Sequence, residues 1–283
     1  MSTAVLQKTF VWRRLHSLMG LWLVLFLFEH LLVNSQAALW IGDNGRMFVQ
    51  LVEGIHNLPY LEAIEIFLLG VPIFIHLVWG VKYLWTSKFN SSSSDGSAPS
   101  LKYPRNRAYT WQRITSWILV FLLLFHIVKF RFIDYPHTAM FGEQKKYYVT
   151  LQNDDGLDSV AMRLGVQIYD PARIAEENID VLKLKKLQSD EVIAVTDKFG
   201  TASLLTVRDT FKNPIYIALY TIFVLAACFH AFNGFWTFLI TWGVVLSMLA
   251  QKRMMKFAWG VMALVAFWGL AAVWGTYWVN LRT

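Results

Sequence analysis

The chain has 283 residues, 56% of them hydrophobic and 16% aromatic, with a mean hydropathy of +0.42. A soluble domain carries about 45–50% apolar residues, so this composition excludes an ordinary soluble protein and points to an integral membrane protein. The net charge of +7 is not a nucleic-acid signature, because the basic residues cluster in short loops between apolar runs; the single cysteine, Cys228, excludes a disulfide framework, a cysteine-rich iron–sulfur site and c-type haem attachment.

Met1 to Arg14 is polar and basic. The apolar run after it is too long for a signal-peptide core and has no small-residue cleavage site, so it reads as a retained membrane helix. Crossing the hydrocarbon needs roughly 20 apolar residues. Five segments qualify: helix I over about 15–39, helix II over 61–85, helix III over 112–133, helix IV from Pro214, and helix V over about 255–281. Asn213 is the expected N-cap of helix IV, with Pro214 at the first helical position. Helix IV is expected to end near Thr241, and 242–250 to continue it along the interface.

Lys8, Arg13 and Arg14 precede helix I, Lys88, Lys102, Arg105 and Arg107 lie between helices II and III, and Lys252, Arg253 and Lys256 lie between IV and V. Only Arg46 lies between I and II. The positive-inside rule therefore places the N-terminus in the cytoplasm and, with five spans, the C-terminus outside. The 91–100 stretch SSSSDGSAPS reads as a flexible linker. The segment 134–212 is too long for a plain connection and falls outside. In it, 172–187 reads as a helix. Residues 192–196 and 203–207 read as strands joined by a hairpin turn over 197–200.

The expected fold is thus an all-α membrane protein, with a small extracytoplasmic α+β insertion. It divides into 1–133 (the N-terminus and helices I–III), 134–212 (the insertion) and 213–283 (helices IV–V).

The residues that carry chemistry are four histidines, one inside each of four spans: His30, His76, His126 and His230. Histidine is costly in a bilayer and marks an ion, a cofactor or a proton path. Each lies about 15 residues into its helix, and a helix rises about 1.5 Å per residue. Helices I and III run outward, so His30 and His126 sit roughly 22 Å from the cytoplasmic edge. Helices II and IV run inward, so His76 and His230 sit roughly 8 Å from it. Two layers about 14 Å apart result.

Neutral imidazoles bind iron well, and two per layer suit six-coordinate haem. His76 and His230 would hold an inner iron, His30 and His126 an outer one. The four helices then form a di-haem core, with helix V beside it. Gly20, Gly80 and Gly234 would let a porphyrin approach the backbone. One membrane histidine alone is as readily a helix–helix hydrogen bond; four paired by depth favour ligands. The clusters that zinc or di-iron would need do not occur. His56 and His137, in outer loops, receive no role.

The stretches RRLHSLMG (13–20), EHLLVN (29–34), LPYLEAIEIF (58–67), PIFIHLVWGVKY (72–83), WQRITSWILVFLLLFHI (111–127) and FHAFNGFWTFLITWG (229–243) resemble the cytochrome b membrane anchor of succinate dehydrogenase and fumarate reductase. The likeness is to the five-helix, single-subunit, di-haem type that serves menaquinone in the bacterial cytoplasmic membrane, and it covers all five spans. It implies two haem b groups, the proximal on His76 and His230 and the distal on His30 and His126. It also implies flavoprotein and iron–sulfur partner subunits on the cytoplasmic side, and a quinone as electron acceptor.

Two departures stand out. The 134–212 segment is longer than in the family and could cover a quinone entrance. Cys228 stands where some di-haem fumarate reductases carry a glutamate of a transmembrane proton route, so that route is not expected.

Quinone reduction consumes protons, so nearby carboxylates or histidines are expected. Glu65, Glu29 and His16 are the candidates. Glu65 is otherwise an interfacial carboxylate. Glu29 is expected to meet Lys129, in a pair that is as well structural. His16 contacts either a quinone or a haem propionate, or else is a solvated interfacial residue. Arg13, Arg14, Arg113 and Lys82 are candidate propionate partners, or simple positive-inside anchors.

No flavin motif occurs, so succinate chemistry would belong to a partner chain. The rival readings are the di-haem cytochrome b of a hydrogenase or formate dehydrogenase, and a haem-free anchor or transporter. Internal repeats or paired broken helices would favour a transporter, and neither is present.

Overall fold

The computed structural model describes residues 8–87, 103–141, 143–177 and 187–283. The 91–100 linker and residues 178–186 of the expected 172–187 helix lie outside them. In chain order the elements are α1 (Lys8–Ser35), α2 (Arg46–His56), α3 (Leu61–Thr86) and α4 (Pro104–Ile127, continued by a π-helical turn Val128–Ile133). Then come β1 (His137–Phe141), β2 (Gln144–Gln152), α5 (Leu157–Leu164), β3 (Gln167–Tyr169), α6 (Pro171–Glu176), β4 (Glu191–Thr196) and α7 (Phe199–Phe211). The chain closes with α8 (Pro214–Thr241) and α9 (Met248–Gly275, continued by a π-helical turn Thr276–Asn280).

Helices α1, α3, α4, α8 and α9 are long and apolar enough to cross a membrane. The protein is an all-α membrane protein with a small sheet insertion. Three spans start earlier than hydropathy alone suggests, at Lys8, Pro104 and Met248. Apolar length marks the part in hydrocarbon, while helix propagates cheaply into the polar flanks once nucleated.

Pro72 shapes α3. A proline inside a helix loses its N–H and clashes with the carbonyl four residues back, here Leu68. The helix relieves this with a π-helical turn over Ile66–Gly70, and the Leu68 carbonyl accepts a 2.6 Å hydrogen bond from the Trp22 indole. The distortion before His76 is therefore a widened turn with its freed carbonyl satisfied.

At the start of α8 the Asn213 carboxamide oxygen accepts the Ile215 N–H at 2.9 Å, as its N-cap pattern predicts. The end of α8 corrects the expected continuation over 242–250. Gly243 is left-handed (φ 73°). The Val244 N–H reaches the Leu239 carbonyl at 2.9 Å and the Gly243 N–H the Ile240 carbonyl at 3.1 Å. This is a Schellman stop, and α9 begins afresh at Met248.

Contacts group the chain into two compact units. One comprises Met1–His30, Glu62–Leu124 and Ile222–Phe267, and the other Leu31–Leu61, Phe125–Thr221 and Trp268–Thr283. The second contains the sheet, antiparallel throughout in the order β1-β2-β4-β3. Tyr147, Val149 and Leu151 alternate into the core along β2, as the period of a strand requires.

Helix α7 lies against β2, β4 and α2 and corrects the strand expected over 203–207 and the hairpin over 197–200. Thr201, Ala202, Leu204, Leu205, Thr206 and Val207 are all buried. A segment enclosed on every side carries no polar face, so its periodicity cannot reveal its type.

Arg208 of α7 is 1% exposed. Two of its guanidinium nitrogens donate to the two Asp154 carboxylate oxygens at 2.7 Å, and its Nε donates to the Leu281 carbonyl at 2.7 Å. Lys212 adds a 3.2 Å contact to Asp154. Burial pushes the Asp154 carboxyl up, but Arg208 and Lys212 outweigh it and hold it below the usual range.

The stability Asp154 contributes is complete above about pH 4, the value of an unfolded carboxyl, and is lost as pH falls through the lower folded value. Asp154→Asn is expected to lower the subdomain's melting temperature at neutral pH and to flatten its loss below about pH 4. A thermal-melting series against pH checks this. Burial holds the nearby Asp209 carboxyl above its usual range; its contribution has the opposite sign and stays in place in the variant.

Candidate functional site

Helices α1, α3, α4 and α8 bring three histidines into one cluster within the first unit. The ring of His76 (α3) and that of His230 (α8) have centroids 6.1 Å apart and planes at 87°. His76 Nδ1 lies 3.0 Å from the His16 carbonyl. A carbonyl only accepts, so this nitrogen carries the proton and Nε2 is left with its lone pair. His230 Nδ1 lies 3.3 Å from the Ser116 hydroxyl of α4. The Gln112 amide donates to the His230 carbonyl at 3.1 Å and accepts from Asn233 at 2.7 Å. One polar stripe of α4 thus fixes the α8 turn that bears His230.

His16 is not a solvated interfacial residue. It stacks face to face on His76, centroids 4.1 Å apart and planes at 9°, with Tyr83 edge-on at 5.5 Å. The glycines also act differently from the expectation. A Cβ at Gly20 would fall 2.8 Å from His76 Cε1, so this glycine makes room for the histidine ring itself. Gly80 faces the His16 ring and Gly234 faces Gln112.

The remaining sequence candidates are placed as follows. His30 stacks on Phe26 at 5.2 Å in the first unit. His126 belongs to the second unit, where its Nδ1 lies 3.2 Å from the Tyr220 hydroxyl and Phe130 flanks it at 5.3 Å. Lys129 makes its ion pair with Asp134, in place of the expected Glu29. Glu29 is exposed and Glu65 half-buried.

Arg14 donates to the Thr241 carbonyl at 2.5 Å and lies over Phe10 and Trp242. It thereby caps the α8 C-terminus, where a cation is favourable. Lys82 lies over Trp79, and Arg113 lies over Tyr109 and donates to its carbonyl. Cys228 is buried at 1% exposure.

The donor set fits haem. His76 and His230 are two imidazoles from different helices with ring centroids 6.1 Å apart, and imidazole nitrogens bind iron well. Hydrogen bonding at the second ring nitrogen is how metal-bound histidines are oriented. Among the described residues no group of three or more His, Cys, Asp or Glu side chains could hold a bare metal ion, whereas haem asks the protein for only two ligands. His16 Nδ1 and the Tyr83 hydroxyl are buried without a hydrogen-bond partner. Buried polar groups are nearly always satisfied, so these two orphans beside His76 suit the polar edge of a bound cofactor. Tyr83 and Ser116 were not singled out from sequence, where a lone tyrosine or serine in a span looks like any other.

The chain is 25% identical over 267 residues to the succinate dehydrogenase cytochrome b558 subunit of Bacillus subtilis (strain 168), an alignment covering 94% of this chain and 96% of that protein. That likeness supports a succinate dehydrogenase cytochrome b anchor. No family model and no solved structure matches it. Its five apolar helices make it a multi-pass membrane protein.

Proposed function

We propose that this cytochrome b anchors a succinate:menaquinone oxidoreductase to the bacterial cytoplasmic membrane, with its N-terminus in the cytoplasm and its C-terminus outside, and carries electrons to quinone by way of two b haems. Flavoprotein and iron–sulfur subunits on the cytoplasmic side would oxidise succinate. The observation that carries this reading is the His76–His230 pair, two imidazoles 6.1 Å apart with their Nδ1 atoms engaged by the His16 carbonyl and the Ser116 hydroxyl.

Held by His76 and His230, a haem would supply one-electron transfer. The chain's residues do the rest. The His16 carbonyl holds His76 in one tautomer, and Gln112 and Ser116 orient His230. His16 Nδ1 and the Tyr83 hydroxyl, buried without a partner, would hydrogen-bond the cofactor's polar edge. The second pair, His30 and His126, rests on their matched depths in the sequence and on the Tyr220 hydroxyl that engages His126 Nδ1. Glu65 and Glu29 stay as candidate proton donors to quinone.

The test is a dithionite-reduced minus oxidised spectrum with haem quantified per chain. Two low-spin b haems are expected. One haem would make one histidine pair structural. None, in a folded preparation expressed with ample haem, would overturn the reading.

A further inference from the structure

Helix α2 was not expected from sequence, which treated 40–60 as a plain loop. Side chains leave a helix about 100° apart, and those of α2 sort into three arcs. On one arc Phe48 and Val49 are buried, the Glu53 carboxylate accepts the Gly200 N–H at 2.9 Å, and His56 stacks on Phe199 at 3.7 Å and 5°. This arc grips α7 of the sheet subdomain. A second arc carries Arg46 and Gln50, both polar and exposed. On the third, Met47, Leu51 and Ile55 recur every four residues as one apolar stripe, 40%, 38% and 39% exposed. Trp40 and Tyr60 flank the helix at 55% and 86% exposure.

A stripe of large apolar side chains between two exposed aromatics needs a covering. The chain's continuity identifies it. Membrane-spanning α1 ends at Ser35, ten residues before α2, and membrane-spanning α3 begins at Leu61, four residues after it. Four residues reach at most about 14 Å, so the end of α2 stays close to where the chain enters the bilayer. We propose that α2 lies in the plane of the membrane–water interface, with Met47, Leu51 and Ile55 in the acyl region and Trp40 and Tyr60 among the headgroups. Aromatic flanks of this kind mark that depth, and an apolar stripe opposite polar residues is how interfacial helices bind lipid. Through its gripped arc, α2 then docks the sheet subdomain on the bilayer.

The test places a photoreactive benzophenone amino acid at position 51, and separately at position 50, of the full complex in native membranes. After irradiation, mass spectrometry reads the adducts. The expected result is a phospholipid adduct at position 51 at least about tenfold above that at position 50. A crosslink from position 51 to another protein chain would overturn the proposal, because the stripe would then be a protein interface. Equal, low lipid labelling at both positions would overturn it too, because the stripe would then face water.

Discussion

His230→Leu is expected to leave one haem per chain in place of the two proposed for the unaltered protein. Leucine fills a similar volume in the span but offers no lone pair, so the proposed inner haem would lose one of the two residues that hold it. The same outcome is expected for His76→Leu, and succinate-dependent quinone reduction should fall to background in both. Haem quantification and the reduced-minus-oxidised spectrum check this in the purified complex. Ser116→Ala gives the graded comparison. It removes the group at His230 Nδ1 and keeps the ligand, and losses of a ligand's hydrogen-bond partner typically cost about 10–100-fold in affinity or activity. His56→Leu, outside the spans, should keep both haems. Two haems in His230→Leu would remove His230 from the ligand set.

Arg208→Met is expected to be the most destabilising single change in the sheet subdomain, by about 3–5 kcal/mol. The methionine keeps most of the volume but leaves the Asp154 carboxylate short of its two 2.7 Å donors and the Leu281 carbonyl without its own. Breaking one side of a buried ion pair costs more than the pair contributes, because the other charge stays buried. Hydrogen exchange across β2, β4 and α7 in the intact protein measures the loss. Arg173→Met is the contrast. Its pair with Glu177 is more than 40% exposed on both sides, and surface pairs contribute about 0–1 kcal/mol.

The spans were legible because a bilayer imposes long apolar runs, and the histidines within them were conspicuous for the same reason. Asn213 followed by Pro214 announced a helix start because capping is local chemistry. Three features resisted for physical reasons. Helix α7 is buried on all sides, so nothing in its pattern separates helix from strand. Helix α2 is only eleven residues long, and its three arcs answer to three surroundings that a loop-length view never considers. The role of His16 depends on Gly20, whose bare Cα lets the His76 ring come close to α1. That close approach is a tertiary fact with no mark in the spacing of residues.

The π-helical turn in α3 decides where an upstream carboxylate points. Glu65 and His76 are eleven positions apart, about three full turns of a regular α-helix, which would set them on nearly the same face. The widened turn over Ile66–Gly70 lies between them and takes up one residue beyond the α-helical count. Everything before it is therefore rotated by roughly 100° relative to everything after it. Glu65 is swung about a quarter-turn away from the His76 azimuth. Deleting one residue from Ile66–Gly70 would let the helix close to ordinary pitch and bring that carboxylate back into line with the histidine. The single surplus residue acts as an angular spacer, holding an acid and a candidate haem ligand on different sides of one helix.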